Sequence, residues 1–252
     1  MRAVFNKTLL ASLVFSAGLT TTAVAQQLAF SSSGNQTQLV ELYTSQGCSS
    51  CPPAERLLSE QLGNKKLWED IIPIAFHVDY WDYLGWKDIY SKASFSDRQR
   101  NHYQFGNVRS VYTPGFVVDG KEWRGFFRGR DFPANQSGGG NLTLNWDSTS
   151  HNAIANYESK ARQAKYCYFA VLGFEQGVAI QSGENRGLKI DQNFVALQVQ
   201  KKAINNAVDA NQCQVNLQVV EHEAVKGLQK RAIVSWVTDA SERPLQATGG
   251  WL

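Results

Sequence analysis

Two cysteines three positions apart, Cys48 and Cys51, stand directly before Pro52 and Pro53 and shortly after the apolar run Leu39-Val40-Glu41-Leu42-Tyr43. This order leaves the chain few local paths. The run has the length and apolar content of a short strand, and Thr44-Ser45-Gln46-Gly47 turns the chain out of it. Consecutive prolines fit the first turn of a helix, where their missing N–H groups would have had no partner anyway. Residues 54–62 then supply helix formers, with Leu57, Leu58 and Leu62 for one apolar side. The expected motif is strand, turn, CxxC, helix.

A dithiol at that place has a chemical use. Unpaired N–H groups and the positive end of a helix stabilise a thiolate on the first sulfur, while the second is close enough to resolve a mixed disulfide. Cys48 is read as the nucleophile and the more exposed sulfur, Cys51 as the shielded resolving thiol. Other readings stay open: a structural disulfide, half of a zinc site, or a copper site joined by His77 or His102.

Arg2 and Lys7, the mostly apolar residues 9–17, and Ala23-Val24-Ala25 form the three parts of a secretory leader, with cleavage expected after Ala25. That apolar run is too short for a permanent span, and no later stretch approaches the roughly 18 apolar residues one needs. The leader carries two bases, so its removal lowers the formal charge from +3 to +1. A nucleic-acid partner therefore has no electrostatic support. All four cysteines lie beyond residue 25, as suits an oxidising compartment.

Residues 71–78 form a second strand-length run, with Pro73 near its start, and residues 94–105 read as an exposed helix anchored by Phe95, Tyr103 and Phe105. Phe116-Val117-Val118 follows as a Pro-led strand closed by a turn at Asp119-Gly120. Strand and helix alternate, so an α/β sheet is expected. Residues 131–141, with Ser137-Gly138-Gly139-Gly140, read as a flexible connector. Beyond it residues 142–146, 195–199 and 215–219 alternate with period two, and turn signals stand at Gly183, Gly187 and Gly227. Residues 142–252 are thus expected to form a β-rich second domain, a sandwich, stapled by a structural disulfide between Cys167 and Cys213.

Three segments carry a family resemblance: residues 39–55 around the CxxC, His77-Val78-Asp79-Tyr80-Trp81-Asp82, and Val111-Tyr112-Thr113-Pro114, with Gly183-Glu184-Asn185 in the back half. Together they resemble a family of secreted bacterial thioredoxin-like proteins with no assigned function, the domain of unknown function 1223. The resemblance implies an α/β thioredoxin-like domain over residues 36–130, followed by the β-rich part. It also implies a cis Thr113–Pro114 bond facing the disulfide as the substrate wall. Glu41, seven residues before Cys48, lies one residue beyond the spacing of the buried acid in thioredoxins; it is read either as a buried carboxyl with a raised pKa that shuttles a proton to or from Cys51, or as a solvent-facing strand residue. The aromatic run Tyr80–Asp88 is suited either to holding a peptide substrate or to packing an inserted loop. The resulting expectation is an exported thiol–disulfide oxidoreductase acting on protein thiols or disulfides, without a cofactor. The alternative is a non-enzymatic module that binds copper or a protein partner.

Overall fold

The computed structural model describes residues 27–134, 138–159, 163–204, 212–218 and 230–252. The expected leader and the turn signal at Gly227 lie outside these residues. In chain order the elements are β1 (Gln27–Ser31), β2 (Gln38–Thr44), α1 (Pro52–Ser59), β3 (Ile71–His77), α2 (Ala93–Gln104), β4 (Gly115–Val118), β5 (Lys121–Trp123), β6 (Asn141–Asp147) and β7 (Asn152–Glu158). They continue with β8 (Tyr166–Phe174), β9 (Gln176–Ala179), β10 (Lys189–Gln192), β11 (Val195–Ala203), β12 (Gln212–Asn216), β13 (Lys230–Thr238) and β14 (Pro244–Trp251).

The apolar run before the cysteines becomes β2, buried along its whole length. It pairs in parallel with β3 and antiparallel with β4. β4 folds back into β5 through Asp119 and Gly120, whose φ values of 49° and 73° are those of a tight hairpin turn that aspartate and glycine tolerate. The Asp119 carboxylate accepts the Leu39 N–H at 2.9 Å and so ties the hairpin to β2.

On its other edge β3 meets β11 in parallel through the Ala75–Val195 pair, with the Ala75 N–H donating to the Phe194 carbonyl at 2.8 Å. β11, β8, β13 and β14 continue antiparallel, giving one eight-stranded mixed sheet in the order β14-β13-β8-β11-β3-β2-β4-β5. A four-stranded antiparallel sheet, β1-β6-β7-β12, and the β9/β10 hairpin complete the fold.

This architecture corrects the expected α/β thioredoxin-like domain followed by a β sandwich. Among the described residues the chain is mostly β with two α-helices, and strands from both sides of the 131–141 connector share the large sheet. The reason lies in how the back-half strands are buried. In β8, Cys167, Phe169 and Val171 face one core, while Tyr168, Ala170, Leu172 and Phe174 face another. In β13, Ile233 and Val237 join the first core, and Ala232, Val234 and Trp236 the second. The second core also holds Leu39, Tyr43, Phe76 and Phe95 from the front half. Strands covered on both faces are near-continuously apolar, as β8 and β13 are; a strand with one wet face alternates.

The four-stranded sheet covers the first core through Leu142, Leu144, Ala155 and Val215. Cys167 in β8 is disulfide-bonded to Cys213 in β12, linking the two sheets. Replacing both cysteines by alanine should lower stability by about 2–4 kcal/mol, seen as a lower urea midpoint with a larger m value, since the unfolded chain without its cross-link exposes more surface. A midpoint equal to that of the parent protein would mean that sheet packing alone holds the pair together. No helix among the described residues is long and apolar enough to cross a membrane.

Candidate functional site

Cys48 and Cys51 are joined by a disulfide. The Cys48 N–H donates to the Ser45 carbonyl, and the Cys51 N–H to the Cys48 carbonyl, each at 3.1 Å. The intervening Ser49 and Ser50 are exposed, whereas Cys48 is 3% and Cys51 0% exposed. Cys48 is the more accessible sulfur-bearing residue, as expected, yet both are buried. Cys51 caps α1, and Pro52 and Pro53 occupy its first positions.

A buried polar cluster lies against this helix. Thr44 in β2 stands in register with His77 in β3, so both side chains leave the same face of the sheet. Glu55, four residues after Cys51 and on the same side of α1, reaches that face. Its carboxyl accepts hydrogen bonds from Thr44 Oγ1 at 2.6 Å and from Gln192 Nε2, at the end of β10, at 3.2 Å. Burial pushes the Glu55 carboxyl up, and the opposing pull of His77 and Thr44 does not cancel it.

His77 Nδ1 lies 2.7 Å from Asp88 Oδ2, and both side chains are inaccessible. Asp88 also accepts the N–H groups of Gln46 at 2.8 Å and of Tyr90 at 2.9 Å, which fixes its carboxylate. Burial alone would depress the His77 imidazole, but Asp88, with Glu55 and Asp82 behind it, raises it above its ordinary value. Nε2 of His77 and Nε2 of Gln46 are buried without a hydrogen-bond partner among the described residues.

The chain that covers the CxxC turn comes from two loops. Asn185 Nδ2 donates to the carbonyls of Gln46 and Cys48, both at 2.9 Å, and Glu184 Oε2 accepts the Ser49 N–H at 3.2 Å. Ser182 Oγ donates to the Gly85 carbonyl, joining this loop to the aromatic run. Within that run Trp86 Nε1 donates to Gln46 Oε1 at 2.9 Å. Trp81 lies against Gly47, where an added Cβ would stand 3.4 Å from the Trp81 Cβ. Its indole N–H donates to Thr113 Oγ1 at 2.7 Å. The Thr113–Pro114 bond is cis. The structure thus brings Cys48, Cys51, Trp81 and Thr113 to one end of β2.

Glu41 is placed elsewhere. It is fully buried on the opposite face of β2, where Arg98 of α2 donates from Nε at 2.8 Å and from Nη2 at 2.9 Å. Tyr43 OH donates at 2.8 Å, and His102 Nε2 lies 3.4 Å away. Burial would raise this carboxyl, but Arg98 and His102 hold it far below the usual carboxylate range, the reverse of the shift expected for a proton shuttle. The helix expected to be exposed therefore buries Arg98 and His102 along with Phe95. The raised buried acid beside the dithiol is Glu55, and its signal in the sequence was the four-residue step from Cys51. Asp88 stood at the end of the aromatic run and Asn185 in the tripeptide that shares the family resemblance, and neither pattern showed that the two side chains meet around Gln46.

Among the described residues no group of three or more His, Cys, Asp or Glu side chains is arranged to hold a metal ion. The family model described as a protein of unknown function, DUF1223, matches residues 39–238. None of the curated proteins matches the chain. Among solved structures, an X-ray crystal structure of a protein from Agrobacterium tumefaciens is 22% identical with a TM-score of 0.55, over 84% of this chain and 92% of that one. HBP35 of Porphyromonas gingivalis is 12% identical with a TM-score of 0.57, over 88% of this chain and 76% of that one. At these identities the likeness concerns the fold alone.

Proposed function

Since the family match spans residues 39–238, the chain belongs to the DUF1223 proteins of unknown function, and we propose that it is an exported thiol–disulfide oxidoreductase working through Cys48 and Cys51. The observation that carries this reading is the disulfide at the start of α1 with the buried, upward-shifted carboxyl of Glu55 one turn behind Cys51. The leader-like residues 1–25 and the two disulfides support the exported location.

In the oxidised form a client thiolate attacks Cys48 Sγ. The Cys48–Cys51 bond breaks and Cys51 leaves as a thiolate, which takes a proton from Glu55. A second client thiolate then attacks the client sulfur of the mixed disulfide and releases Cys48 as a thiolate. The client dithiol has become a disulfide, and the two electrons reside in the Cys48/Cys51 dithiol. The same residues run the sequence backwards. His77, whose charge Glu55 feels and which Asp88 orients through Nδ1, is the next titratable group along the path by which Glu55 is reprotonated. Thr113 and Trp81 form the wall beside Cys48 against which the client chain lies.

The test is transfer to a reduced, unfolded protein that needs disulfides to fold. The oxidised chain should form client disulfides while losing its own Cys48–Cys51 bond, Cys48→Ser should abolish transfer, and Cys51→Ser, mixed instead with the disulfide-bonded client, should hold it as a mixed disulfide on Cys48, the other client sulfur leaving as a thiolate. Transfer no faster than the uncatalysed reaction, with the Cys48–Cys51 bond intact throughout, would make that bond a staple.

A further inference from the structure

The eight-stranded sheet ends at β5, and residues 106–109 with Arg124, Gly125, Arg128 and Arg130 wall a cleft of about 510 Å³ beside it. Five cations line the cleft, Arg109, Lys121, Arg124, Arg128 and Arg130, against the single acid Glu122. Glu122 is already engaged, accepting from Tyr112 OH at 2.8 Å and lying 3.7 Å from Arg124 Nη1. Arg109, Lys121, Arg128 and Arg130 have no ion-pair partner among the described residues. The chain without its leader has a formal charge of only +1, so this concentration of cations is local.

A series of contacts through Tyr112, Gln99, Tyr80 and Trp81 connects the cleft to the disulfide. Arg124 lies over the rings of Tyr112 and Phe127, at 5.6 and 5.7 Å. The Tyr112 carbonyl accepts from Gln99, which in turn accepts from Tyr80 OH. The Tyr80 ring is 6.1 Å from Trp81, which lies against Gly47 beside Cys48. Phe127 is 53% exposed, and its ring lies 6.4 Å from that of Tyr112 and 5.2 Å from that of Phe126.

We infer that the cleft holds an acidic segment of the client polypeptide, so that clients with carboxylates near the reacting cysteine are preferred; this rests on the thiol–disulfide reading above. Four of the five cations are arginines, whose guanidinium forks match carboxylates in two-point hydrogen bonds. Aromatic faces next to them suit the backbone and side chains of an extended peptide. An anionic membrane would call for cations and rings on a protruding face, and these cations line a concave one.

The test uses fluorescence anisotropy with a short, labelled, cysteine-free peptide rich in glutamate, and its counterpart with glutamine at every glutamate. The glutamate peptide should bind at least about tenfold more tightly, less so as salt rises. The double charge reversal Arg128→Glu/Arg130→Glu, at two exposed positions, should erase the preference. Equal binding of the two peptides would overturn the inference. So would a preference that survives the reversal, or binding to phosphatidylglycerol vesicles without binding to the peptide. The probe contains no thiol, so a chain that prefers the glutamate peptide yet exchanges no disulfides supports the acidic-segment site and sinks only the oxidoreductase reading.

Discussion

Arg98→Met is expected to destabilise the protein by about 3–5 kcal/mol, the cost of leaving one charge of a buried pair without its partner. Arg98 is 8% and Glu41 0% exposed, and the guanidinium sits over the rings of Tyr168, Trp236 and Phe76 at 4.6, 5.2 and 5.4 Å. Methionine keeps much of the apolar stem but supplies neither hydrogen bond to Glu41. The pH dependence should change as well. In the parent protein the Glu41 carboxyl is held down, so its contribution is present above the unfolded carboxylate value of about 4.3 and fades only as pH falls toward its depressed folded value. Without Arg98, burial gains weight against His102 alone, and the variant should lose proportionally more stability at pH 7 than at pH 4. Urea unfolding at both values measures this, and Glu41→Gln/Arg98→Met should recover part of the loss. A single variant within about 1 kcal/mol of the parent protein would show that the network is a surface-like pair despite its burial.

Glu55→Gln is expected to slow disulfide transfer by about 10²–10⁴-fold, the usual contribution of a positioned general acid or base, without lowering stability at neutral pH. Glutamine can keep both neighbours, its oxygen accepting from Gln192 and its amide donating to Thr44 Oγ1, whose hydroxyl can reverse its role. In the parent protein the folded carboxyl holds its proton more tightly than the unfolded one. Its stabilising contribution is therefore complete below the unfolded value of about 4.3 and is lost as pH rises through the raised folded value. The variant should lack that decline, so its urea midpoint at pH 8 should equal or exceed the parent's. Stopped-flow exchange across pH reads the other half: the Glu55-dependent limb of the rate profile should disappear. An unchanged rate and profile would reduce Glu55 to a packing residue.

How much of this was legible in the chain depended on distance along it. The CxxC turn, the proline-led helix, the Asp119–Gly120 hairpin and the pairing of Cys167 with Cys213 all come from short-range patterns or from a count with few solutions. The fold class failed because β3 and β11 meet through one pair, Ala75 with Val195, that no local pattern announces. The near-continuous apolar stretch of β8, from Cys167 to Leu172, was the available sign that this strand is covered on both faces. Glu41 and Glu55 illustrate the same limit at the site. Counting back from Cys48 along β2 finds an acid but not its face, and the two faces of a strand alternate at every residue. Counting forward from Cys51 along α1 does find the face, because i and i+4 share one.

On composition alone, the glycine-rich stretch between the halves resembles a joint at which related genes could trade cassettes. The shared core denies that freedom. A chimera spliced at residues 131–141 would take the Arg98 guanidinium from one parent and the Tyr168 and Trp236 rings beneath it from the other. It would also have to match Ala75 to Val195 across the seam of the sheet. Only parents that already agree at these positions should yield a sound chain, so the connector is no free joint for exchanging halves.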